Sequence, residues 1–206
     1  AENIEGADCV IRTAAANNDN PEIAAARAAG IPIFERAQAW GYIMKAYRHA
    51  ICVSGTHGKT TTTSMLTQIF MEAGKDPTVM IGGSLPLLGA GHRVGQGDTI
   101  ILESCEYCNS FLNFFPTTAV VLDIDADHLD FFKDLEDVKH SFRRFAELVP
   151  ADGLIVANGD DKNTLDALDG LSLVRFGMAE TNDVYGTNFS ENYRCFDVVC
   201  GGKPYC

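Results

Sequence analysis

The sequence predicts an α/β fold built on a mostly parallel β-sheet, and three observations support this prediction. From Ile51 onward, short runs of β-branched and apolar residues alternate with stretches of helical periodicity, which is the pattern of a parallel sheet with helices on its faces. The first of these runs enters a tight glycine turn at 55–58 that opens directly onto a helix. Carboxylates and an imidazole follow two later strands, at 103–106 and 123–130. Because ligands of parallel sheets gather outside the carboxyl ends of the strands, the sequence indicates a binding site there.

The first 48 residues are expected to form a smaller α/β segment. Its predicted elements are a strand at 7–12, a helix at 22–29, an edge strand at 31–34 and a helix at 36–47. Asn20 is expected to cap the first helix, with Pro21 at its first position and Gly30 just after its end. Trp40 and Met44 lie at helical spacing, which favours core positions over a ligand site. We place a domain boundary near 47–50, so the predicted domains are 1–48 and 49–206.

The second domain is expected to continue the alternation of strands and helices. Its predicted elements are a helix at 60–73, a strand at 78–81, a glycine-rich loop at 82–97, strands at 99–103 and 118–122, a helix at 136–148, a strand at 154–157, a short helix at 163–168, and strands at 171–176 and 196–200. Helix 60–73 is expected to bury one side, formed by Met65, Leu66, Ile69 and Phe70.

Composition and charge narrow the classes of function. The formal net charge of −12 disfavours nucleic acid or a membrane surface as the main partner. No apolar run approaches ~18 residues and no secretory signal opens the sequence, which predicts a cytoplasmic protein. Seven cysteines without such a signal indicate reduced thiols. Because the sequence starts in turn-like residues without a methionine and stops just after a strand-like run, we expect a fragment.

The segment 50–63 carries the strongest functional signal. Gly55 and Gly58 let the backbone approach an anion closely, and the unpaired N–H groups of the helix start point at that anion. Lys59 adds a positive charge, and the Thr60 hydroxyl is placed to hold the Mg²⁺ of a nucleoside triphosphate. The usual pattern has four residues between the glycines whereas this sequence has two, so the prediction depends on the strand, turn and helix around them. The alternative is a helix cap without a ligand.

Two segments after the turn are candidates for binding a metal ion. Mg²⁺ prefers oxygen ligands and keeps several waters, so one or two carboxylates together with phosphates suffice. Glu106 and His128 are the metal candidates because each follows a predicted strand. The alternative for each is a helix-capping acid or an ordinary hydrogen-bonded polar residue.

The pair Cys105-x-x-Cys108 raises the alternative of a zinc or redox site. Zinc would need two further ligands, and Cys200 and Cys206 have the wrong spacing for a zinc knuckle. Two neighbouring glutamates surround the first cysteine with negative charge, which is the opposite of what activates a thiol. We therefore disfavour both readings.

Taken together, these segments resemble the Mur ligase family, the ATP-dependent enzymes that build the peptide stem of bacterial cell-wall precursors. The residues that carry the resemblance are 54–62, Glu103-x-x-Glu106-x-x-x-Ser110-Phe111, 127–130, the stretch 13–32 and Gly82-Gly83. His57, where sister branches usually have Asn, favours the branch that joins L-alanine to UDP-N-acetylmuramate. The resemblance covers residues 7 to about 161. It implies a P-loop-type mononucleotide-binding central domain at 49–206, incomplete at its C-terminal end, preceded at 1–48 by the end of a Rossmann-like domain that binds the UDP-sugar.

The resemblance also implies roles for single residues. The residues expected to bind ATP are Gly55, Thr56, His57, Gly58, Lys59, Thr60 and Thr61. Lys59 would contact the β- and γ-phosphates. Thr60 and Glu106 would hold a first Mg²⁺, and His128 would ligate a second. Lys59, Glu106 and His128 are accordingly the expected catalytic residues.

Two departures from the family pattern stand out. Cys105 and Cys108 occupy positions where many relatives of this branch have aspartates, so this chain has thiols where those relatives have carboxylates. Many Mur ligases also carry a carbamoylated lysine on the helix after the histidine-containing loop; this helix has Lys139, to which we do not assign that role.

The implied reaction is an ADP-forming ligation. The carboxylate of UDP-N-acetylmuramate becomes an acyl phosphate, which the amine of L-alanine then attacks. The chain alone is expected to be inactive, because it lacks the glycine-rich start of the first domain and the third domain that full-length relatives carry; those missing domains of the same polypeptide are its expected partners. The alternatives within the enzyme class are a ligase that recycles murein peptides, a sister ligase that adds a different amino acid, or one that adds glutamate to folate. The alternative from another class is a nucleotide-binding module without ligase chemistry.

Overall fold

The computed structural model describes residues 2–13, 16–192 and 194–205, which form a two-stranded and a ten-stranded sheet with α-helices between the strands. The strands are β1 (Val10–Arg12), β2 (Ile33–Glu35), β3 (His49–Ser54), β4 (Thr78–Leu85), β5 (Ala90–Arg93), β6 (Thr99–Glu103), β7 (Thr118–Val121), β8 (Leu154–Asn158), β9 (Val174–Gly177), β10 (Val184–Thr187), β11 (Asp197–Cys200) and β12 (Lys203–Tyr205). The helices are α1 (Pro21–Ala28), α2 (Arg36–Met44), α3 (Lys59–Glu72), α4 (Leu135–Ala146) and α5 (Lys162–Ala167), with 3₁₀ segments at Glu2–Ile4 and Tyr107–Asn113. Within these residues, no helix is both long and apolar enough to cross a membrane.

The N-terminal segment forms the elements that its capping residues predict. The Asn20 side chain accepts a hydrogen bond from the Glu22 N–H at 2.9 Å, and Pro21 is the first residue of α1. Gly30 follows α1 with a φ of +70°, a conformation that costs glycine little. Strands β1 and β2 pair in parallel to form the two-stranded sheet. The local signals at the helix ends therefore identify this segment correctly.

The large sheet confirms the mostly parallel α/β fold. Its strand order is β12-β11-β10-β9-β8-β7-β3-β6-β4-β5. Every neighbouring pair from β10 to β4 is parallel, and β5, β11 and β12 pair antiparallel at the two ends. The chain leaves β3 towards β4 on one side and later returns to β7 on the other. The strand order thus reverses next to β3, which is where parallel α/β sheets bind their ligands.

The two faces of the sheet carry separate hydrophobic clusters. Along β6, Ile100 and Leu102 join the larger cluster, whereas Ile101 between them joins Val79 and Ile81 on the opposite face. This alternation follows from the two-residue period of a strand. Both faces of β6 are therefore buried, as expected for a central parallel strand.

Aromatic side chains join the larger cluster to the 3₁₀ segment. The ring of Phe111 stacks on Phe145 with centroids 4.5 Å apart and meets Phe142 edge-on at 5.4 Å. Met44 of α2 is buried in the same cluster, as the sequence predicts, and Trp40 is half-buried against it. This shared core fixes the position of the polar residues that precede the 3₁₀ segment.

Helix α3 differs from its predicted burial pattern. Leu66 and Phe70 pack against the smaller cluster, but Met65 and Ile69 are 60% and 61% exposed. The positions that α3 buries completely are two threonines, whose hydroxyls donate to carbonyls one turn earlier. Since those hydroxyls are satisfied locally, a threonine face can be buried at little cost. The prediction of a Met65 and Ile69 core face was wrong.

The predicted glycine-rich loop at 82–97 is largely a β-hairpin. Strand β4 continues to Leu85, and β5 pairs with it antiparallel. A Cβ added at Gly91 would lie 2.5 Å from the Gly83 carbonyl oxygen. Here the glycines mark a close approach of two backbones rather than a flexible loop. The short strands β10 and β12 are further elements that the sequence did not predict.

Candidate functional site

The glycine turn after β3 has a backbone that glycine makes possible. Gly55 and Gly58 have φ values of +145° and +78°, which other residues rarely adopt. A Cβ at Gly55 would also meet Asp123 Oδ1 at 2.8 Å and Leu122 Cβ at 2.9 Å. We call residues 55–60 the cradle. Its two glycines are therefore required by the shape of the turn.

The segment after β7 holds the cradle in place. Asp123 accepts two hydrogen bonds from it: its carbonyl from the Thr56 N–H at 3.1 Å, and its side chain from the His57 N–H at 2.9 Å. The Asp125 N–H in turn donates to Thr56 Oγ1 at 2.9 Å. Because these bonds cross from one strand end to the next, the shape of the cradle depends on β7 as well as on β3.

The first turn of α3 presents its N–H groups to the cradle. Gly58 is the N-cap and, among the residues that the structure describes, no side chain caps this helix start. The amides of Lys59, Thr60 and Thr61 lie in the first turn, where a helix supplies no internal acceptor. Such a helix start attracts anions through its dipole and its N–H groups.

Lys59 lies folded over the cradle. Its Nζ donates to the carbonyl oxygens of Gly55 at 2.6 Å and Thr56 at 3.1 Å. It also forms an ion pair with Glu106, at 3.0 Å to Oε2. The two side chains are 13% and 2% exposed, so this is a buried pair rather than a surface salt bridge.

His128 completes this group on the side of β7. Its Nε2 lies 3.8 Å from Glu106 Oε1, and its side chain is 34% exposed. Its backbone is left-handed, with a φ of +54°, which is unusual for a residue with a Cβ. The structure therefore brings Lys59, Glu106 and His128 together, as the sequence predicted from three separate segments.

The carboxylate next to Thr60 is Glu103 and not Glu106. Thr60 Oγ1 donates to Glu103 Oε1 at 2.9 Å, and the Gly82 N–H donates to Glu103 Oε2 at 2.6 Å. A Cβ at Gly82 would lie 2.6 Å from Glu103 Oε1, so β4 approaches this carboxylate closely. The Thr60 hydroxyl is thus bonded to Glu103, and the expectation that Thr60 and Glu106 hold a first Mg²⁺ stays a prediction.

The oxygen atoms of Thr60 and Glu103 fit the chemistry of Mg²⁺. The described residues contain no group of three or more His, Cys, Asp or Glu side chains that could hold a metal ion by themselves. Mg²⁺ does not require such a group, because it keeps several waters and shares the phosphates of its nucleotide. The site thus suits a metal that arrives with a phosphate ligand.

A cavity of about 420 Å³ opens beside these residues. Its lining includes Trp40, Met80, Glu103, Cys105, Tyr107 and Cys108. Partial burial raises the pKa of the Cys105 thiol above its ordinary value, whereas a redox-active cysteine has a lowered pKa. The redox alternative is therefore disfavoured further. Cys206, considered above as a zinc ligand, lies outside the described residues, as do residues 14 and 15 of the stretch 13–32.

Comparison with known proteins places the chain in a family. Residues 53–203 match the Mur ligase middle domain, and residues 1–48 match the Mur ligase family catalytic domain. The chain belongs to the Mur ligase family. This Mur ligase chain is 48% identical over 208 residues to the UDP-N-acetylmuramate–L-alanine ligase of Caldanaerobacter subterraneus subsp. tengcongensis. The match covers 98% of the chain but 45% of that relative, so the chain spans less than half the length of the relative.

Solved structures of Mur ligases share the fold. The UDP-N-acetylmuramate:L-alanyl-γ-D-glutamyl-meso-diaminopimelate ligase from Neisseria meningitides matches with a TM-score of 0.84 at 25% identity, over 98% of this chain and 68% of that one. The UDP-N-acetylmuramate-alanine ligase MurC from Thermotoga maritima matches with a TM-score of 0.78 at 27% identity, over 97% of this chain and 45% of that one. The backbone likeness therefore extends across the described part of this Mur ligase.

Three residues of the site were missed or undervalued by the sequence reasoning. Glu103 carried a signal, because it is the last residue of its strand, where ligands gather. Asp123 carried the same signal as the first residue after the predicted strand 118–122. Tyr107 carried no signal, because its contacts depend on how two loops meet in this Mur ligase fold.

Proposed function

We propose that this chain forms the nucleotide-binding part of an ATP-dependent, ADP-forming ligase that joins L-alanine to the carboxylate of UDP-N-acetylmuramate. The observation that carries the proposal is the cradle with Lys59, Glu106 and His128 gathered beside it. The 48% identity to a ligase of that name, over nearly all of this chain, supports the choice of substrates. Since the chain spans less than half of that relative, the reaction is proposed for the complete product of the gene.

The cradle residues are proposed to bind the phosphates of ATP. Amides in the first turn of α3 donate to phosphate oxygens, and Lys59 offsets the negative charge of the β- and γ-phosphates. Two backbone carbonyls and Glu106 now hold Lys59, so the ammonium group is already at the cradle before a nucleotide arrives. Positioning and charge stabilisation are the main contributions a protein makes to phosphoryl transfer.

Thr60, Glu103 and His128 are the residues proposed to bind Mg²⁺. Thr60 and Glu103 offer oxygen atoms at the end of α3 that faces the cradle, and His128 offers its imidazole from the other side. When bound, Mg²⁺ would neutralise charge on the phosphates and on the substrate carboxylate. Glu106 is buried against Lys59, which suits a residue that orients that lysine.

The cavity next to the cradle is proposed to receive the sugar-linked carboxylate. It joins residues of α2 to Glu103 and Tyr107, so a substrate lying there would present its carboxylate at the cradle. That carboxylate attacks the γ-phosphate and becomes an acyl phosphate, with ADP leaving. The amine of L-alanine then attacks the acyl carbon and expels phosphate.

A ligase that recycles murein peptides is the second candidate. The observation in its favour is the TM-score, which is 0.84 to the Neisseria ligase named for a tripeptide and 0.78 to MurC from Thermotoga. Sequence identity points the other way, at 25% to the former and 48% to the L-alanine ligase of Caldanaerobacter. We favour L-alanine because specificity depends on side chains more than on backbone shape.

The choice between the two is tested with the complete product of the gene. Purified protein is given ATP, Mg²⁺ and UDP-N-acetylmuramate, with either L-alanine or the tripeptide L-alanyl-γ-D-glutamyl-meso-diaminopimelate as acceptor, and ADP release is followed. We expect release that depends on L-alanine. Release that depends on the tripeptide alone would assign the recycling reaction instead.

Nucleotide binding is tested on the 206-residue chain by calorimetric titration with a non-hydrolysable ATP analogue and Mg²⁺. Lys59→Met keeps the hydrocarbon stem but removes the charge, and we expect affinity to fall roughly ten- to a hundredfold, the usual worth of hydrogen bonds to a charged group. Lys133→Met is the matched control, because the Lys133 side chain is 87% exposed. Affinities of the Lys59 variant within threefold of the unsubstituted chain would contradict the proposed cradle.

The same titration separates a ligase site from a simple nucleotide-binding module. A ligase site of the proposed kind takes up a second Mg²⁺ that depends on His128, whereas a binding module needs one. Stoichiometry of one metal, unchanged by His128→Ala, would favour the binding module.

A further inference from the structure

Tyr107 makes contacts with the His128 turn that the proposed chemistry does not use. The centroids of its ring and the imidazole lie 4.7 Å apart, with the planes tilted by 41°. Its hydroxyl donates to Asp130 Oδ2 at 2.8 Å. Its ring also meets Phe131 edge-on, with centroids 6.0 Å apart, so Tyr107 touches the turn at His128, Asp130 and Phe131.

The turn that carries His128 itself supplies little to orient the imidazole, whose Nε2 lies 3.8 Å from Glu106 Oε1. Its own hydrogen bonds involve the backbone: the Phe131 and Phe132 N–H groups donate to the His128 carbonyl at 2.8 and 2.9 Å. The His128 N–H donates to the Asp127 side chain at 2.7 Å. These bonds fix the path of the chain but leave the torsions of the imidazole free. The ring of Tyr107, together with Glu106, supplies side-chain contacts to the imidazole that these backbone bonds do not.

The backbone at His128 adds a reason for a second fixing point. A left-handed conformation at a residue with a Cβ costs on the order of 1 kcal/mol, and His128 has a φ of +54°. Cross-links to a neighbouring loop offset this cost. Tyr107 follows Glu106 directly in the chain, so the loop that pairs with Lys59 is also the loop that contacts the imidazole.

We propose that Tyr107 is a positioning residue that holds the His128 imidazole towards the cradle, through its ring, and holds the turn behind it, through Asp130. This inference rests on the proposed function, because it is the second metal that gives the orientation of His128 a purpose. Outer contacts to a metal-binding histidine typically contribute ten- to a hundredfold to metal affinity or activity. Tyr107 is 36% exposed, so its ring contributes to this contact more than to the hydrophobic core.

The test uses the 206-residue chain and two variants of Tyr107. Tyr107→Leu removes all three contacts, whereas Tyr107→Phe keeps the ring on His128 and Phe131 and removes only the bond to Asp130. The imidazole signals of His128 are assigned in ¹H–¹³C spectra by their loss in His128→Gln. Tyr205→Leu is the control, because Tyr205 is an exposed tyrosine on β12, at the far edge of the sheet.

The expected result is a graded response at one histidine. Tyr107→Leu should move the His128 ring signals, since the ring current of the tyrosine is gone, while Tyr107→Phe and Tyr205→Leu should leave them near their original positions. With an ATP analogue present, broadening of the His128 signals by Mn²⁺ should need roughly tenfold more metal in Tyr107→Leu and recover to within threefold in Tyr107→Phe. The other four histidines of the chain report whether each variant keeps its fold.

One outcome would contradict the positioning role of Tyr107, and another would contradict the second metal site itself. If Tyr107→Leu leaves both the His128 signals and the Mn²⁺ response unchanged, Tyr107 does not position the imidazole. If Mn²⁺ never broadens His128 in the unsubstituted chain, the proposed second metal site fails. The comparison of ring signals still decides whether Tyr107 contacts His128 in that case.

Discussion

In the buried ion pair of Lys59 and Glu106, the two residues differ in how many other partners each one has. Lys59 has two backbone carbonyls as further acceptors. Glu106, with 2% of its side chain exposed, has Lys59 and, at 3.8 Å, His128. Loss of the lysine therefore leaves a buried carboxylate with little compensation, whereas loss of the carboxylate leaves the lysine with its carbonyls.

This asymmetry predicts an order of stabilities. Lys59→Ala should lower the free energy of unfolding by about 3–5 kcal/mol, the usual cost of breaking a buried ion pair from one side, and Glu106→Gln should lower it less. Urea unfolding of the 206-residue chain measures both. The double variant should regain much of the loss, because a neutral side chain no longer needs the ammonium group.

The control for this order is Lys133→Ala, which should stay within about 0.5 kcal/mol because Lys133 lies at the surface. Equal losses for Lys59→Ala and Glu106→Gln, with no recovery in the double variant, would contradict the proposed asymmetry.

Much of the site could be predicted residue by residue, and the limits have a physical reason. Lys59, Glu106 and His128 were predicted together because each follows a strand, and parallel strands bring their ends to one edge. Whether the Thr60 hydroxyl donates its hydrogen bond to Glu103 or to Glu106 depends on which of the two carboxylates points towards α3 at the end of the strand. That direction is set by packing, so sequence position alone did not decide it.

At the scale of elements, Asp76 stabilises the edge of the sheet near β5 through its side-chain contacts. Its side chain accepts from the Gln96 N–H at 2.7 Å and pairs with Arg93, which also donates to the Pro77 carbonyl at 3.0 Å. The Gln96 N–H first, and Arg93 second, lower the pKa of the Asp76 carboxyl below its ordinary value. Both ends of the β4–β5 hairpin are thus tied to one carboxylate.

The lowered pKa of Asp76 predicts how the hairpin responds to acid. An unfolded Asp has a pKa of about 3.9, so the contribution of Asp76 to stability is present above that pH and is lost as the pH falls through the lower folded value. NMR titration of the chain should show Asp76 protonating at a lower pH than an ordinary aspartate, in line with its lowered pKa. Asp76→Asn should be less sensitive to acid over the same range in urea unfolding.

Asp152→Asn is the control for Asp76, since Asp152 is an exposed residue of a turn. A variant Arg93→Ala that leaves the titration of Asp76 unchanged would show that the arginine does not contribute. A pKa of Asp76 at or above that of an unfolded aspartate in the unsubstituted chain would contradict the proposed role of Asp76.

The elements that the sequence predicted share one property: their signals are local. The cap and proline of α1 and the apolar runs of the central strands depend on neighbours in the chain. The 3₁₀ segment Tyr107–Asn113 has no such signal, because Cys108 and Asn109 adopt left-handed conformations that interrupt any period. The β4–β5 hairpin was not predicted, because its glycines indicate a loop in the sequence. In the structure they allow two backbones to approach closely.

At the scale of the whole molecule, the chain matches less than half the length of its Caldanaerobacter relative. We propose that binding of L-alanine needs residues beyond the 206 of this chain. The chain by itself should bind the ATP analogue but release no ADP with both substrates present. Turnover by the 206-residue chain at a rate like that of the complete gene product would contradict this expectation.

The position of Lys59 affects what a measured affinity of the cradle for a nucleotide means. Because the ammonium group already has Gly55, Thr56 and Glu106 as partners, a nucleotide arriving there exchanges one set of contacts for another. The measured heat and affinity are then differences between two occupied states of the same cation. A small measured heat would therefore mean that the Glu106 carboxylate and the incoming phosphate bind the ammonium group with similar strength.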